Sequence, residues 1–425
     1  MAKQYIERFA DAKIKEALSA LGCVYVEGPK GCGKSTTAER FAKTVVKLQD
    51  PIVFERYLAL ATTSREHLLS GDKPLLFDEW QKIPQLWDFI RADVDDKSDV
   101  GLYLLTGSAK PKENKKRPTD KRHTGAGRIA KITMYPMSLA ESGDSSGEVS
   151  LRNIFDGNDI INGTSKLTLD DLAFVICRGG WPEAVTRPEQ ALMLMSYYYK
   201  TLVTEDITDV DGITRNPKRA QVILRSYARN ISTFASNTTI IADIEANDKS
   251  LNRVTFTSYL TAFEKLFVIC DVEAWSPRLR SKTTIRASAK RQFVDPSIAT
   301  IALGATPNDL VADLRTFGFL FESLAHRDLR VYADSLNGQV YHYRDDSGLE
   351  CDAIIHLDNG KWGAVEIKLG GHEIDAAAEN LIKLKEIIDA DKMKAPSFLM
   401  VLTGTQHAYK RPDGVLVVPI GCLKN

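Results

Sequence analysis

The sequence lacks an excess of charge of either sign, a paired cysteine motif and a long apolar run. Lys plus Arg and Asp plus Glu both number 56 in 425 residues, so the net charge gives no general attraction to nucleic acid or anionic lipid. The six cysteines form no CxxC motif, which favours reduced thiols over a disulfide framework or a structural metal site. No apolar run approaches the ~20 residues of a membrane span, and the first residues do not resemble a signal peptide. We therefore expect a cytoplasmic protein without a membrane partner.

The length is more than one hydrophobic core normally supports, since domains average about 150 residues. An apolar fraction of 44% and a charged fraction of 26% are those of a folded globular protein. The sequence therefore predicts two or three domains as a starting expectation.

A glycine-rich segment has the spacing of a phosphate-binding loop. The loop GPKGCGKS, residues 28–35, follows a short buried strand (23–27) and precedes a helix that the pattern predicts to run on toward Leu48. In such a loop the glycines let backbone amides surround a phosphate, Lys34 reaches the β and γ oxygens, and Ser35 ligates Mg²⁺. The residues expected to contact ATP and its Mg²⁺ are Gly28, Pro29, Lys30, Gly31, Cys32, Gly33, Lys34, Ser35 and Thr36.

Two further apolar runs end in polar residues. The run 75–77 is followed by Asp78 and Glu79, which are expected to hold the Mg²⁺ shell and to polarise an attacking water, respectively. A third strand, in GLYLLTGS, ends in Thr106 and Ser108, which either sense the γ-phosphate or cap a helix. The first domain is therefore predicted to bind and hydrolyse ATP.

A basic segment, residues 108–128, has eight Lys or Arg residues against two acids. It is either a contact for a polyanion or a solvated surface loop. Arg128, at its end, could stabilise transition-state charge as a catalytic arginine, or it could pair with a surface carboxylate.

Residues 146–215 carry helical patterns interrupted by RGGWP, and they are predicted to form a helical lid. Arg178, at this interruption, either faces the nucleotide from the lid or lies at the edge of the core. Both alternatives stay open from the sequence.

Three helical patterns and an apolar strand follow between residues 216 and 292. This succession resembles a winged helix-turn-helix, which contacts DNA through its third helix, although similar modules also bind proteins. In the third helix the residues expected to face the core are Val254, Tyr259 or Leu260, Phe263, and Leu266 or Phe267. Those expected to face DNA are Thr255, Thr257, Ser258 and Thr261. Phosphate contacts are expected on the wing from Arg278, Arg280, Lys282, Arg286, Lys290 and Arg291.

The segment ECDAIIHLDNGKWGAVEIKLG, residues 350–370, has the pattern of a β-hairpin with charges on its strands. If residues 358–360 form a three-residue loop, Asp352 lies opposite Glu366, whereas a two-residue loop puts them on opposite faces. Strand alternation also puts Glu366 and Lys368 on one face. The register therefore decides whether these charges meet.

Two opposed carboxylates call for a compensating cation, and Mg²⁺ or Mn²⁺ suits oxygen ligands. Glu322, on an apolar helical pattern upstream, supplies a third acid, and Lys368 could position or deprotonate a metal-bound water. The prediction is a metal site formed by Glu322, Asp352 and Glu366, with Lys368 as a catalytic residue. The alternative is a surface hairpin with a salt bridge.

Eight segments together resemble a prokaryotic AAA-type ATPase family with a C-terminal domain of unknown function: GPKGCGKST, LLFDEW, LLTGS, GRIAKITMYPMSLAE, RGGWPEAV, FGFLFES, ECDAI and VEIKLG. The resemblance spans nearly the whole chain. It implies a winged helix and, after it, a domain similar to the PD-(D/E)xK restriction-endonuclease core, in which Glu322, Asp352, Glu366 and Lys368 match the metal and catalytic positions. By analogy with other AAA-type ATPases it also implies a homo-oligomer such as a hexamer.

The expected fold is α/β, with a P-loop AAA-type ATPase core at 1–145 and a helical lid at 146–215. We expect these to be followed by a winged helix at 216–292 and a nuclease-like domain at 293–425. The first functional hypothesis is an ATP-hydrolysing DNA-processing protein with a Mg²⁺-dependent nuclease. The alternatives are an ATP-switched DNA-binding or remodelling protein whose nuclease-like domain does not cleave, and a signalling ATPase with a protein partner.

Overall fold

A computed structural model describes residues 5–108, 124–158, 160–245, 251–277, 288–388 and 394–425. The chain divides into two units: Met1–Tyr135 with Asp206–Thr214 and Ala262–Phe267, and Pro136–Glu205 with Arg215–Thr261 and Val268–Asn425. The four predicted domains, with boundaries after residues 145, 215 and 292, stay a prediction. Over the described residues, no helix has the length and apolar character needed to cross a lipid bilayer.

The first unit is built on a five-stranded sheet in the order β2-β3-β4-β1-β5, and all neighbouring strands are parallel. Its strands are β1 Cys23–Glu27, β2 Thr44–Lys47, β3 Leu75–Asp78, β4 Tyr103–Gly107 and β5 Ile129–Thr133. The helices that accompany them are α1 Phe9–Ala20, α2 Lys34–Glu39, α3 Pro51–Thr63, α4 Arg65–Leu68 and α5 Leu86–Lys97, with a 3₁₀ turn at Trp80–Lys82. Strands β1, β3 and β4 are buried almost throughout, as expected for a parallel sheet covered on both faces. The predicted parallel sheet is confirmed.

The helix after the glycine-rich loop is shorter than the sequence pattern predicts. Helix α2 ends at Glu39, and the residues expected to continue it form the edge strand β2 instead. Thr44, Val45 and Val46 favour a strand because their β-branched side chains lose rotamer freedom in a helix. Pairing of β2 with β3 then satisfies the backbone groups that a helix would have paired internally.

The remaining helices are, in chain order, α6 Leu139–Ser142, α7 Leu151–Phe155, α8 Leu169–Arg178, α9 Pro182–Thr186, α10 Ala191–Thr201, α11 Ile207–Asp209, α12 Pro217–Arg229, α13 Asn237–Glu245, α14 Arg253–Lys265, α15 Pro296–Leu303, α16 Pro307–Ala312, α17 Leu314–Ser335 and α18 Ile374–Ile387. A π-helical segment, Leu202–Asp206, precedes α11. Two 3₁₀ turns lie at Pro188–Gln190 and Ile420–Cys422. The remaining strands are β6 Val149–Ser150, β7 Gly163–Thr164, β8 Gly338–Arg344, β9 Glu350–Leu357, β10 Trp362–Lys368, β11 Phe398–Thr403, β12 His407–Lys410, β13 Leu416–Pro419 and β14 Leu423–Lys424.

Helices α12, α13 and α14 are the three helices that the sequence predicts for the middle of the chain. Antiparallel bridges follow between Ile269 and Phe293 and between Val272 and Lys290. On α14 one expected core position is wrong: Val254 is 81% exposed, and Phe256 is buried instead. The other expected core positions are buried at Tyr259, Leu260, Phe263 and Leu266. The segment 278–287, with four of the expected wing residues (Arg278, Arg280, Lys282 and Arg286), lies outside the described residues.

The C-terminal part contains a seven-stranded mixed sheet in the order β7-β12-β13-β11-β10-β9-β8. Strand β10 pairs with β9 in antiparallel and with β11 in parallel orientation. Helix α18 packs its apolar face, including Leu381 and Leu384, into a core with Trp362, Val401 and Val417. Helix α17 packs against β8, β9 and β10. This arrangement confirms the α/β class of this part, while its resemblance to a nuclease core stays a prediction.

A fully buried ion cluster connects four segments of the second unit. Arg327, on α17 and 1% exposed, donates to Asp295 at 3.1 Å and to Asp328 at 2.7 Å. Asp295 also accepts a hydrogen bond from the Gly180 amide, and Asp328 accepts one from the Leu139 amide. Burial of such charges is tolerated only when every partner is present.

We predict that Arg327→Met destabilises the protein by about 3–5 kcal/mol, because it leaves two buried carboxylates without their cation. The measurement is the free energy of unfolding in urea. Arg344→Met is the matched control, since Arg344 pairs with Glu350 at the surface and its loss should cost less than about 1 kcal/mol. Equal effects of the two substitutions would contradict the prediction.

Candidate functional site

The glycine-rich loop joins β1 to α2 at the carboxyl edge of the parallel sheet. Gly28, Gly31 and Gly33 have φ angles of 149°, 80° and 102°, a backbone region that other residues rarely adopt. A β-carbon at Gly28 would lie 2.1 Å from the carbonyl oxygen of Met134. The loop conformation therefore requires glycine at this position for both backbone and packing reasons.

Lys34 begins α2, and its side chain is buried against the loop. Its ammonium donates to the carbonyl oxygen of Pro29 at 2.8 Å. Lys30 is exposed, and its ammonium pairs with Asp206 at 2.9 Å. Thr36 is exposed on α2, so its expected contact with nucleotide stays a prediction.

Arg8 is a buried residue that sequence reasoning missed. Its guanidinium donates to the carbonyl of Cys32 in the loop and to the carbonyl of Tyr135, each at 2.8 Å. Arg8 immediately precedes α1, far from the loop in sequence, and no local motif marks it. The loop is thus fixed from the side by a residue that only the tertiary structure identifies.

Asp78 lies at the end of β3 and receives two hydroxyl hydrogen bonds on one carboxylate oxygen. Ser35 Oγ and Thr106 Oγ1 each donate to Asp78 Oδ1 at 2.5 Å. Strand β4, which carries Thr106, lies between β1 and β3 in the sheet, so the parallel arrangement brings these three residues together. Among the described residues, no Lys, Arg or His nitrogen lies within 4 Å of this buried carboxylate.

The oxygen donors of Ser35 and Asp78 fit a Mg²⁺ ion bound together with a nucleotide. Mg²⁺ takes hydroxyl, carboxylate and phosphate oxygens and often binds through only one or two protein groups. A buried carboxylate that receives hydroxyl hydrogen bonds but no protein cation retains a charge that such an ion can compensate. These two residues would hold the ion.

Glu79 is held in a defined orientation next to Asp78. Its backbone is left-handed, with φ 57° and ψ 48°, a strained conformation for glutamate. Its carboxylate accepts hydrogen bonds from Ser108 Oγ at 2.9 Å and from Gln81 Nε2, and its amide donates to Thr106 Oγ1 at 3.2 Å. Gln81 is a second residue that sequence reasoning missed.

Arg128 does not reach the nucleotide loop of its own chain. It precedes β5, and its carbonyl accepts from the amide of Cys23 at the start of β1, which is the amino edge of the parallel sheet. Its guanidinium pairs with Asp95 on α5 at 2.5 Å and is 49% exposed. The structure supports the alternative of pairing with a surface carboxylate. A catalytic role of Arg128 toward the nucleotide of a neighbouring subunit stays a prediction. Residues 109–123 of the basic segment lie outside the described residues.

Arg178 lies in the second unit and is buried at the end of α8. Its guanidinium donates to both carboxylate oxygens of Asp144, at 2.6 and 3.2 Å, and to the carbonyl of Gly179. These bonds use three of the five guanidinium N–H groups. The structure supports the alternative of an arginine at the edge of the core, and a nucleotide contact of Arg178 stays a prediction.

The hairpin at 350–370 has the register that a three-residue loop requires. The Leu357 amide donates to the Lys361 carbonyl, and Ala353 pairs with Val365 further along the ladder. The same register puts Asp352 opposite Glu366 at the next position. The prediction that these charges lie close together is confirmed, since Lys368 Nζ contacts both Asp352 at 3.2 Å and Glu366 at 3.0 Å.

Lys290 joins this cluster from a distant part of the sequence. Its ammonium lies 2.6 Å from Glu322 Oε1 on α17 and 3.1 Å from Asp352 Oδ1 on β9. The side chain is 4% exposed, so the expected phosphate contact of Lys290 on a wing is wrong. Arg291 is also bound within the protein, to Asp271 at 2.8 Å.

Burial and neighbouring charges shift the pKa values of two carboxyl groups in the cluster in opposite directions. Burial raises the pKa of Glu366 well above its usual range, and the neighbouring Asp352 charge adds to this. Burial also disfavours the charged form of Asp352, but the ammonium groups of Lys290 and Lys368 outweigh it and hold its pKa far below the usual range. Asp352 is therefore an anion held between two cations.

The cluster does not fit a divalent metal ion as the structure arranges it. Lys290 bridges Glu322 to Asp352, and Lys368 bridges Asp352 to Glu366. In the described part of the chain, no group of three or more His, Cys, Asp or Glu side chains is arranged to hold a metal. The expected metal ligands lie together, but lysines occupy the positions between them.

We predict that Gly28→Ala lowers ATP affinity and thermal stability, because the added methyl group would meet the Met134 carbonyl in a backbone region that alanine avoids. Binding of a fluorescent ATP analogue and the melting temperature are measured together. Gly318→Ala is the control, since no heavy atom lies within 4 Å of its added β-carbon. Unchanged ATP binding in Gly28→Ala would contradict the structure of the loop.

Three solved structures illustrate the likeness to known proteins. The Walker-type ATPase PABY2304 of Pyrococcus abyssi is 13% identical, with 71% of this chain and 97% of that chain covered and a TM-score of 0.43. The Aeropyrum pernix ORC1 protein, solved in complex with DNA, is 13% identical, with 73% of this chain and 95% of that chain covered and a TM-score of 0.27. A Signal Transduction ATPase with Numerous Domains (STAND) protein from Pyrococcus horikoshii, which has a tetratricopeptide repeat sensor, is 11% identical. The match covers 79% of this chain and 53% of that chain, with a TM-score of 0.22. These scores are too low to indicate a shared overall fold, and no curated protein matches the chain.

Three protein-family models match successive parts of the chain. Residues 169–309 match a domain of unknown function (DUF8612), and residues 317–423 match another (DUF4143). Residues 22–143 match an AAA domain, and this range contains the glycine-rich loop, Asp78 and Glu79. The predicted resemblance to AAA-type ATPases is thus confirmed for the first part of the chain, which carries an AAA domain.

Proposed function

We propose that the protein binds and hydrolyses ATP and uses the ATP cycle to act on DNA. The observation that carries the first half is the convergence of Ser35, Asp78 and Thr106 at one sheet edge, next to an oriented Glu79. Hydrolysis of a phosphoanhydride needs a phosphate-binding loop, oxygen ligands for Mg²⁺ and a carboxylate in a fixed orientation, and the site has all three.

In this proposal the loop amides and Lys34 hold the β- and γ-phosphates. The Lys34 ammonium exchanges its hydrogen bond with the Pro29 carbonyl for phosphate oxygens. Mg²⁺, bound by Ser35 and Asp78, supplies charge neutralisation for the phosphate oxygens. The remaining residues act on the attacking water and on the phosphate.

Glu79 orients and deprotonates the attacking water, because its carboxylate is fixed by Ser108 and Gln81 and its backbone is fixed by Thr106. Thr106 and Ser108 lie at the end of β4, where a γ-phosphate would complete their hydrogen bonds.

The second half of the proposal assigns DNA as the partner and a homo-oligomer, such as a hexamer, as the active assembly. Support for DNA comes from the basic segment 108–128, from the basic residues at 278, 280, 282 and 286, and from the three-helix succession that resembles a winged helix. Support for an assembly is the analogy with AAA-type ATPases. Arg128, remote from its own loop, could act on nucleotide only in a neighbouring copy.

For the C-terminal domain, we favour a nuclease-like domain that holds DNA without cutting it. The specific observation is that lysines bridge the three carboxylates that a nuclease metal would need. The first alternative is that this domain is a Mg²⁺- or Mn²⁺-dependent nuclease. The second alternative is that the protein is a signalling ATPase with a protein partner. These alternatives make different predictions for DNA.

We predict that Lys34→Ala abolishes ATP binding, because the P-loop loses its phosphate cation. Glu79→Gln should retain ATP binding and lower kcat by about a hundredfold or more, because the amide cannot accept the proton of water. Phosphate release and binding of a fluorescent ATP analogue separate the two effects.

Glu39→Gln is the matched control for Glu79→Gln. Glu39 ends α2 and pairs with Lys47 at the surface, so the same change of charge there should leave turnover intact. Wild-type turnover in Glu79→Gln would remove Glu79 from its assigned role.

We predict that DNA raises the rate of ATP hydrolysis and that the stimulation falls as salt is added, since phosphate contacts release counterions. The assay compares single-stranded, duplex and branched DNA with and without labelled ends, so that cleavage is measured in the same reaction. Reversal of charge at Lys115, Lys116 and Arg117 should reduce the stimulation while leaving the basal rate unchanged. No response to any DNA would favour the protein-partner alternative, and metal-dependent cleavage lost in Glu366→Ala would favour the nuclease.

A further inference from the structure

The carboxylates of the C-terminal cluster and the two lysines alternate in a continuous chain. Glu322, Lys290, Asp352, Lys368 and Glu366 follow one another with N···O distances between 2.6 and 3.2 Å. Every carboxylate therefore has an ammonium partner. Asn380 adds a further hydrogen bond to Glu366, at 2.8 Å.

The position of Lys290 is set by its backbone. Its amide and carbonyl both pair with Val272, each at 2.9 Å, and neighbouring Gln292 also accepts a backbone bond, from the amide of Cys270. A lysine held in this way projects its side chain from a backbone position that is fixed by an antiparallel bridge. The ammonium group is thus placed between Glu322 and Asp352 by the fold.

Burial makes this placement significant. The Lys290 side chain is 4% exposed, and that of Glu322 is 13% exposed. A charge removed from water is costly unless an opposite charge compensates it, and here two carboxylates do so. A divalent ion at ligand distance from the same carboxylates would lie beside a positive ammonium group, and this repulsion disfavours its binding.

We propose that Lys290 is a built-in counter-ion that occupies the position of a divalent metal between Glu322 and Asp352, so that the native cluster binds no such metal. The cluster is therefore a latent metal site. Removal of the ammonium leaves two carboxylates facing one another, and these need a new cation.

One buried side chain adds a possible ligand to the latent site. His326 is 1% exposed, its Nε2 lies 3.7 Å from Glu322 Oε1, and neither ring nitrogen has a hydrogen-bond partner among the described residues. Mn²⁺ accepts both carboxylate and imidazole ligands, so Glu322, Asp352 and His326 are a suitable donor set once the ammonium is absent.

The test is a titration of the full chain with Mn²⁺ in the absence of nucleotide. The electron paramagnetic resonance signal of free Mn²⁺ measures how much of the ion is bound. Lys290→Met should bind a Mn²⁺ ion that the wild type does not bind, and its melting temperature should rise with Mn²⁺. The double variant Lys290→Met with Asp352→Asn should lose both effects. Lys361→Met is the control, because Lys361 lies on the same hairpin and contacts the Phe155 carbonyl and Asp156 instead of the cluster.

Two results would overturn the proposal. The first is a Mn²⁺ ion bound by the wild type and lost in Glu322→Gln. The second is a folded Lys290→Met variant that binds no more Mn²⁺ than the wild type. If Lys290→Met unfolds in metal-free buffer, recovery of its circular dichroism spectrum with Mn²⁺ supports the proposal, and failure to recover counts against it. None of these measurements involves ATP, so they stand apart from the proposed hydrolysis.

Discussion

A buried carboxylate must be compensated, and much of this structure depends on how that is done. Asp78 and Asp328 are buried and the Asp352 side chain is 16% exposed, and the three lie on elements from different parts of the chain. Asp78 receives hydroxyl hydrogen bonds, Asp328 receives a guanidinium, and Asp352 receives two ammonium groups. The kind of partner decides what each carboxylate can still do.

Hydroxyl donors orient a carboxylate without neutralising it, so Asp78 keeps a charge that a metal ion with its nucleotide can compensate. A guanidinium on Asp328 satisfies the charge permanently, which suits a purely structural role. The ammonium groups around Asp352 do the same at a place where the sequence suggests a metal. The same residue type, aspartate, thus contributes to a reactive site at Asp78, to structural stability at Asp328 and to a charge-neutralised cluster at Asp352. The groups that donate to each carboxylate decide which of these roles it has.

Local patterns predicted those features whose causes are local. The glycine-rich loop, the strand before Asp78 and the hairpin register follow from short segments, in which turn residues and alternation determine geometry. The length of α2 was wrong because pairing with a neighbouring strand overrode the helical pattern. Arg8 was not predicted, and Lys290 was predicted to contact phosphate, because their true partners lie far away in sequence and side-chain pairing across such separations is set by the tertiary fold.

The C-terminal cluster shows why a set of acidic residues does not by itself define a metal site. The three carboxylates and Lys368 were predicted together, and the register brings Asp352, Glu366 and Lys368 together as expected. What changes their chemistry is one further lysine from outside the hairpin, since a cation that belongs to the chain cannot diffuse away or exchange. The charge balance of the whole neighbourhood, including residues outside the motif, therefore decides whether such a domain can take up a metal and cut DNA.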